Sequence, residues 1–312
     1  MPHDAEPTAL RQSSTLPLLD SAVLRSFVTI AETGSFSRAA RLLFRTPAAL
    51  SMQIKRLEET LERPLFVREA RQVRLTPEGE MLLGYGRRLL LLNEEAVAQF
   101  LAPKLEGRVR LGTPDDVGTR ILPALLSQFA RTHPGVQVDV IGGRSADMRF
   151  RIDRGDLDIA LVTLAANEAE RERPGMRVDI VYTESLVWAG CEGGVAAERR
   201  PVPVALANPG CPWRANALSA LHRSGVRYRV AYTCESTVGQ QAAASADLAI
   251  APLPASSVSP PLYMLASEDG LPPLDPYHVA LVRKTDLGPV TQTFADVITE
   301  AFADLQRVRP ER

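Results

Sequence analysis

The stretch Ser35–Leu61, SFSRAARLLFRTPAALSMQIKRLEETL, contains two helical patterns that follow each other almost without a gap. Ser35 and Thr46 are good N-caps, because a hydroxyl there accepts a hydrogen bond from an unpaired amide of the first turn. Pro47 follows the second cap, at a position where its missing N–H costs nothing. Apolar residues then recur on one face, at Leu50, Ile54, Leu57 and Leu61. The stretch therefore predicts two helices joined by a tight turn, the second with one buried stripe.

The opposite face of the second helix carries small and polar side chains near its N-terminus, namely Ala48, Ser51, Met52 and Lys55. A helix of this kind can enter the major groove of DNA with its first turns. An ordinary surface helix has the same appearance in sequence, since two short helices with a tight turn are common. The stretch alone leaves both interpretations open.

The flanking sequence favours the DNA-binding interpretation. Before the helix pair, LDSAVLRSFVTIAETG predicts an amphipathic helix that ends at Gly34. After it, PLFVREARQVRLT contains two strand-like runs, Leu65–Arg68 and Gln72–Leu75. Three arginines cluster there: Arg68, Arg71 and Arg74. A basic hairpin directly after a helix-turn-helix predicts a wing that reaches phosphates or the minor groove.

A long helix is predicted beyond the hairpin, beginning at the sequence Thr76-Pro77-Glu78. Its apolar residues form one seam, which consists of Leu82, Tyr85, Leu89, Leu92, Ala96 and, at its end, Phe100. A lone helix cannot bury such a seam. The seam therefore predicts a dimerising coiled coil.

Residues 19 to 101 resemble the DNA-binding domain and linker helix of LysR-type transcriptional regulators. The resemblance lies in three motifs: FVTIAETGSFSRAARLL, AALSMQIKRLEETLERPLFVRE and VRLTPEGEMLL. It implies a winged helix-turn-helix of α+β class whose third helix is the recognition helix. It also implies antiparallel pairing of linker helices and usually a tetramer on DNA.

The residues expected to contact DNA are Ser35, Ser37, Arg38, Thr46, Pro47, Ala48, Ser51, Met52, Lys55, Arg68, Arg71 and Arg74. Many members of the family carry Gln at the place of Pro47 and Arg at the place of Met52, and these residues can bind adenine and guanine. Pro47, Ala48 and Met52 offer only apolar contact. We therefore expect direct readout to rest on Ser51 and Lys55, with the wing and DNA shape contributing more.

The second half of the chain alternates strand and helix patterns. A strand around Val109 leads to a helix predicted to run through Phe129, and Val136–Ile141 is the next strand. This alternation predicts a parallel sheet with crossover helices. After a crossing near RVDIVYTESLVWAG a second subdomain is expected, and YHVALVRK is predicted to return to the first.

This half is similar to the family's effector domain, which implies two α/β subdomains with a cleft between them, as in periplasmic solute-binding proteins. Segments such as GTPDDVGTRILP and RGDLDIALV most resemble the branch that represses motility and virulence genes in enteric bacteria and plant pathogens. The predicted boundaries are a disordered tail at 1–18, the winged helix-turn-helix at 19–75, the linker helix at 76–103 and the effector domain at 104–312. Subdomain I is expected at about 104–180 and 275–312, and subdomain II at about 181–274.

In such domains ligands lie where strand ends meet helix N-termini. The effector-binding candidates on that basis are Thr113, Asp115, Asp116, Gly142, Gly143, Thr163, Leu164, Glu235, Ser236 and Thr237. Simple helix capping is the alternative at each place.

The charge of the effector can also be predicted, because Asp116 falls about where many relatives have Ser or Thr. Either Thr113 caps the helix with Pro114 first, or Asp116 is itself the cap. Both arrangements place a carboxylate on the amides that would hold an anion, and Arg120 is the one arginine near this loop. We therefore expect an effector that is neutral or cationic at this end of the cleft, or none.

Composition excludes several other classes. The 312 residues carry a formal net charge of −1, so any DNA-binding part must be locally basic. Three cysteines, Cys191, Cys211 and Cys234, lack zinc-site spacing and fit a reducing cytoplasm, with a redox switch as the lesser alternative. The N-terminus has no apolar run, which predicts that it is not a signal peptide.

Enzyme motifs are also missing from the sequence. The four histidines are dispersed, and no nucleophile elbow, P-loop or H-E-x-x-H occurs. Asp153, Asp156 and Asp158 lack the rest of a calcium loop and predict a polar turn. We therefore expect no catalysis, no cofactor and no metal.

The sequence thus predicts a ligand-responsive transcription factor whose partners are double-stranded DNA, a small-molecule effector, further copies of itself and RNA polymerase. One alternative is an effector-independent repressor or nucleoid-type protein, whose second half only mediates oligomerisation. A solute-binding protein or enzyme is the third class, and it would make the basic wing incidental.

Overall fold

The computed structural model describes residues 16–69, 72–101, 105–166 and 175–308. The chain divides into two compact units, Met1–Val97 and Ala98–Arg312. Most of the predicted tail, residues 1–15, lies outside the described residues. Within the described ranges, no helix is both long enough and apolar enough to cross a membrane.

The first unit contains three helices, a hairpin and the start of a long helix. Its elements are α1 (Ser21–Thr33), α2 (Phe36–Leu42), α3 (Pro47–Leu61), β1 (Phe66–Glu69), β2 (Gln72–Leu75) and α4 (Pro77–Leu101). The predicted caps are confirmed: Ser35 Oγ accepts from the Arg38 amide at 3.3 Å, and Thr46 Oγ1 accepts from the Ala49 amide at 3.2 Å. Gly34 ends α1 with a left-handed φ of 62°, a conformation that glycine adopts without strain.

The core of this unit forms where α1, α2 and α3 meet. The small side chains of Ala39 and Ala40 are buried and let α2 pack closely against its neighbours. Leu50, Ile54 and Leu57 of the predicted stripe are buried in the same core. The first strand begins one residue later than predicted, because Leu65 is buried in the core and its amide donates to Glu58 Oε1 at 2.8 Å.

The second unit contains a five-stranded sheet and a group of shorter strands. Its helices are α5 (Asp115–Arg120), α6 (Leu122–Thr132), α7 (Ser145–Asp153), α8 (Pro212–Arg223), α9 (Thr237–Ser245) and α10 (Pro289–Val308). Its longer strands are β3 (Gly107–Thr113), β4 (Val136–Gly142), β5 (Ile159–Ala165), β6 (Met176–Glu184) and β12 (Tyr277–Lys284). The others are β7 (Leu186–Cys191), β8 (Val202–Leu206), β9 (Tyr228–Thr233), β10 (Ala251–Pro254) and β11 (Leu262–Met264).

The large sheet has the order β4-β3-β5-β12-β6. Strand β3 is parallel to β4 and β5, whereas β12 is antiparallel to both β5 and β6. The predicted parallel pairing is found for β3, β4 and β5, and β12 adds antiparallel pairs that the sequence did not predict. The strand YHVALVRK does return to this sheet, but it runs in the opposite direction because it comes back from the other subdomain.

The second subdomain is built on β7 and β8. Strand β7 pairs with β10 and β11, both antiparallel, and β8 pairs in parallel with β9. The chain passes from the first sheet to this subdomain between Glu184 and Leu186. Each subdomain has its own apolar core, one around Phe129 and Phe294 and the other around Trp188 and Leu221.

The helix predicted to run through Phe129 is broken at Ile121. Helix α5 ends at Arg120 and α6 begins at Leu122, with Pro123 in its first turn. Proline lacks an N–H and its ring clashes with the preceding turn, so a continuous helix cannot pass through this point.

Candidate DNA-binding surface and effector cavity

The first turns of α3 lie on the surface of the first unit. Pro47 and Ala48 are exposed, Met52 is 58% exposed, and Ser51 is half-buried. Lys55 is exposed, and its Nζ lies 3.7 Å from Glu59 Oε1. These residues can therefore reach a DNA groove, and their role as DNA contacts stays a prediction.

The orientation of α3 is fixed from its other side. Leu50 and Ile54 are fully buried, and Gln53 Oε1 accepts a hydrogen bond from Ser26 Oγ of α1 at 3.0 Å. Because the buried stripe and this hydrogen bond face α1, Met52 and Lys55 are turned toward solvent. The apolar spacing read from the sequence is thus the physical cause of the exposed face.

The residues at the start of α2 differ in whether their side-chain hydrogen-bonding groups are free to contact DNA. Ser35 caps α2 through its hydroxyl, and Ser37 is exposed. The Arg38 guanidinium donates to the Thr33 carbonyl, so its hydrogen-bonding capacity is partly used inside the unit. A contact between Arg38 and DNA would therefore have to keep or replace this bond.

The predicted wing is present as the antiparallel pair of β1 and β2. Arg74 is exposed on β2. Residue Arg71 and the side chain of Arg68 lie outside the described part of the chain. The contribution of the wing to DNA binding stays a prediction.

Three further arginines lie near these elements and were missed in the sequence. Arg25 and Arg45 line one surface depression together with Ser26 and Leu43. Arg56 is exposed one turn beyond Met52, with its guanidinium 3.9 Å from the Met52 sulfur. Their closeness to the DNA-binding elements results from how the helices pack. The spacing of apolar residues in the sequence therefore gave no reason to choose them, among the surface arginines, as candidate DNA contacts.

The second unit contains a cavity of about 310 Å³. Eight of the ten effector-binding candidates line it or its mouth: Asp115, Asp116, Gly142, Gly143, Thr163, Glu235, Ser236 and Thr237. The exceptions are Thr113 and Leu164. Both side chains are buried, Thr113 with its hydroxyl bonded to the Pro114 carbonyl and Leu164 in the core under α7, so their assignment to the cavity was wrong.

The sequence missed a whole wall of this cavity. The loop before α8 and the first turn of that helix supply Ala207, Asn208, Gly210, Cys211, Pro212 and Trp213. Pro114 before α5, Arg144 and Ser145 at the start of α7, and Gln240 of α9 complete the missed set. The sequence identified Arg120 as the arginine near the start of α5, and the fold also brings Arg144 to the cavity from another crossover.

Two contacts join the subdomains at this cavity. Asp115 Oδ2 accepts a hydrogen bond from the Thr237 amide, the first amide of α9, at 3.2 Å. Arg144 Nε lies 3.8 Å from Glu235 Oε1. Neither arrangement predicted for the start of α5 is found. Pro114 is the N-cap without a side-chain bond, Asp115 is the first residue, and its carboxylate accepts from α9 instead of from its own helix.

Asp116 lines the cavity and belongs to a buried ionic cluster that extends behind the cavity wall. Its Oδ2 lies 3.6 Å from Arg120 Nη2, and Glu184 Oε2 lies 3.6 Å from the same nitrogen. The Arg120 guanidinium also donates to Ser256 Oγ at 2.5 Å. Burial raises the pKa of Asp116 to about 6, against the lowering effect of the Arg120 charge. Asp116 is therefore harder to ionise than an ordinary aspartate.

Comparison with known proteins identifies the family. Residues 22–80 match the family described as "Bacterial regulatory helix-turn-helix protein, lysR family", and residues 103–303 match the "LysR substrate binding domain". The chain belongs to the LysR family of transcriptional regulators. It is therefore a DNA-binding regulator with an effector-binding domain, as the sequence predicted.

Two relatives match this LysR regulator over most of its length. The HTH-type transcriptional regulator DgdR of Burkholderia cepacia is 37% identical over 84% of this chain and 87% of its own. The HTH-type transcriptional regulator PecT of Dickeya dadantii (strain 3937) is 30% identical over 86% of this chain and 83% of its own. The narrower resemblance to motility and virulence repressors stays a prediction.

A solved structure shares the fold. Vibrio fischeri DarR in complex with DNA is 16% identical, with a TM-score of 0.51 and coverage of 91% of this chain and 100% of its own. The predicted combination of an N-terminal winged helix-turn-helix with a two-subdomain α/β effector domain is confirmed.

The α4 helix of this LysR regulator has two different apolar faces. Leu82 is only 8% exposed and packs in the core of the first unit, with Leu83 and Leu90 beside it. Its assignment to the dimer seam was therefore wrong, because a helix that closes its own domain turns one stripe inward. The exposed apolar residues follow the remaining seam: Met81, Tyr85, Leu89, Leu92, Ala96, Val97 and Phe100.

The remaining reactive groups of this LysR regulator are scattered. Cys191, Cys211 and Cys234 form no disulfide, and burial raises the pKa of the Cys211 thiol. Asp158 accepts hydrogen bonds from the Arg110 guanidinium at 2.7 and 3.2 Å, and Asp156 lies 3.3 Å from Arg154. No group of three acidic, histidine or cysteine side chains that could hold a metal occurs among the residues the structure describes.

Proposed function

We propose that this LysR regulator binds operator DNA through the first turns of α3 and the β1–β2 hairpin, and that a small molecule in the effector cavity modulates this binding. The exposed face of α3, which carries Ser51, Met52 and Lys55, supports the first part. The cavity of about 310 Å³ between the two subdomains supports the second.

DNA binding is tested with the purified full chain and genomic fragments. Fragments retained by the protein are sequenced, and the affinity for the enriched fragment is measured by fluorescence anisotropy at several salt concentrations. We expect the logarithm of the association constant to fall linearly with the logarithm of salt, because phosphate contacts release counterions. The proposal fails if no fragment is enriched over random DNA in moderate salt.

The exposed seam of α4 supports assembly through paired linker helices, first as a dimer and then as a tetramer on DNA. Sedimentation of the full chain without DNA measures the first of these steps. A monomer at all accessible concentrations contradicts this part of the proposal.

The cavity favours a ligand-responsive regulator over the alternative in which the second unit only mediates oligomerisation. A thermal-shift screen separates the two, since a ligand that binds only the folded protein raises the unfolding temperature. We further propose that the protein acts by binding and not by catalysis, that it works in the cytoplasm where its DNA target lies, and that it contacts RNA polymerase.

A further inference from the structure

Beside the cavity, two buried carboxylates share one guanidinium. Glu184 is well satisfied, since it accepts from the Tyr277 hydroxyl at 2.9 Å and from the Ser256 amide at 2.8 Å. Asp116 is 4% exposed, and its Oδ2 accepts no hydrogen bond. The Arg120 nitrogen, 3.6 Å away and shared with Glu184, opposes its charge, and the backbone amide of Val117 adds one hydrogen bond to the carboxylate. Asp116 is therefore the carboxylate whose charge is incompletely neutralised.

The position of the cavity wall decides which member of this cluster a ligand meets. Asp116 lines the cavity, whereas Arg120 and Glu184 do not. A ligand carboxylate would therefore meet the negative charge of the cluster without access to its arginine. A ligand cation would meet Asp116, whose charge the cluster neutralises only in part.

The other charged residues that line the cavity also favour a cationic ligand over an anionic one. Its lining contains the acids Asp115, Asp116 and Glu235, and one basic residue, Arg144. That guanidinium is already engaged, because it donates to the Asp147 carboxylate at 2.9 and 3.3 Å and lies 3.8 Å from Glu235. Negative charge therefore exceeds positive charge along the described lining, which favours a cation.

A second unpaired group indicates what else the ligand carries. Trp213 lines the cavity and is 5% exposed, and its Nε1 has no hydrogen-bond partner among the residues that the structure describes. The indole N–H is a donor only, and a buried donor without an acceptor is unfavourable. The edge-to-face contact with Tyr277, at a centroid distance of 5.0 Å, holds the indole ring in place. An oxygen acceptor on the ligand would satisfy it.

We propose that the effector is a small primary amine that also bears an acceptor oxygen, with its ammonium group against Asp116 and its oxygen on Trp213 Nε1. This inference rests on the proposed function, because it takes the cavity as the effector site. Amino alcohols, amino amides and amino acids share this chemistry, and the experiment below separates the last two.

The ionisation of Asp116 gives the proposal a second readout. Arg120 of α5, Glu184 of β6, Tyr277 of β12 and Cys211 before α8 are the charged or titratable groups that act on it. Burial raises the pKa of Asp116 to about 6. An ammonium group binds the ionised form and lowers this pKa, so its affinity should fall as the pH falls through about 6. An α-amino group with a pKa of about 7.7–8.0 stays protonated over that range.

The test is calorimetric titration of the full chain with matched pairs that differ only in the amino group. The pairs are L-alaninamide with propanamide, L-valinamide with isovaleramide and L-phenylalaninamide with hydrocinnamamide, and each free amino acid is compared with its des-amino carboxylate. We expect the amine of at least one pair to bind about tenfold more tightly. The advantage should shrink at about pH 5, and the amide series should exceed the amino acids if a carboxylate is disfavoured.

Amino-acid substitutions identify which residues cause the tighter binding of the amine. Asp116→Asn should abolish the advantage of the amine, whereas Asp139→Asn, which removes a half-buried carboxylate outside the cavity, should preserve it. Trp213→Phe keeps a ring and removes the donor, so it should weaken both members of a pair alike. Circular dichroism checks that each variant is folded. The proposal is overturned if no pair favours the amine, if the des-amino carboxylates bind more tightly, or if Asp116→Asn leaves the advantage intact.

DNA binding measured on the same preparation separates the two proposals. If the amine binds but leaves the affinity for the enriched fragment unchanged, the ligand class stands and the proposed regulation fails. If only compounds that carry a carboxylate change the affinity for DNA, the proposed regulation stands and the proposed ligand class is wrong.

Discussion

Lys55 is an exposed cation on the predicted DNA-contacting face of α3, and its partner Glu59 is also exposed. We expect Lys55→Ala to weaken binding to all DNA sequences alike and to lower the salt slope by about one, because one phosphate contact is lost. Ser51→Ala should instead change discrimination among sites. Anisotropy titrations at several salt concentrations measure both effects.

Lys284 supplies the control for Lys55, since it is an exposed lysine of the second unit outside the predicted DNA-contacting surface. Lys284→Ala changes the net charge equally and should leave the slope unchanged. Equal slopes for Lys55→Ala and the unaltered protein would remove this face of α3 from the proposed interface.

Asp116 should make stability depend on pH. Its pKa is 3.8 for an ordinary aspartate and about 6 in the folded protein, so folding favours the protonated form. Any stability it supplies is present below about pH 4 and lost as the pH rises through about 6. Asp116→Asn should therefore stabilise the protein at pH 8 by at most about 3 kcal/mol, and not at pH 4. Urea unfolding at both pH values measures the difference, and an equal effect at both would contradict the assignment.

At the scale of the element, α4 has one face that packs in the core of the first unit and another face that we expect to pair with a second copy. Leu92 is 61% exposed on the outward seam, so Leu92→Glu should leave the first unit folded but place a charge in the paired helices. We expect loss of the dimer in sedimentation and weaker operator binding. Gly84→Glu introduces the same charge at an exposed position of α4 outside the seam, where an added side chain meets open space, and is the control. An unchanged dimer in Leu92→Glu would show that the seam is not the interface.

Leu82, on the inner face of α4, should respond differently. Leu82→Ala removes a buried side chain from the core of the first unit and should cost about 2–5 kcal/mol of unfolding free energy. The remaining folded protein should still dimerise, because the outward seam is intact. Dissociation of the folded variant into monomers would instead return Leu82 to the seam.

At the scale of the whole molecule, an oligomer must hold two recognition helices at a fixed separation. Inserting about five base pairs between the half-sites of the enriched fragment turns one of them to the opposite side of the DNA, since a turn is about 10.5 base pairs. We expect a much larger loss of affinity than for an insertion of about ten base pairs. Equal losses of affinity for the two insertions would indicate that each subunit of the oligomer binds its half-site independently.

The sequence by itself determined the first unit almost completely. Its caps at Ser35 and Thr46, its glycine stop at Gly34 and the stripe on α3 are local features, and each depends on hydrogen bonds or spacings within a few residues. Such features act before any tertiary contact forms. The motifs built on them also identified the family, which required no knowledge of how the second unit is assembled.

Only the tertiary structure decided which residues share the cavity. Arg144 comes from one crossover and Cys211 and Trp213 come from another, and their meeting depends on how two sheets and their helices pack. This packing also placed the Asp115 carboxylate on the amide of Thr237, and packing within the first unit turned Leu82 inward. Contacts between residues far apart in the chain leave no periodic trace in the sequence, because spacing reports which face of an element is apolar and not which element it will meet.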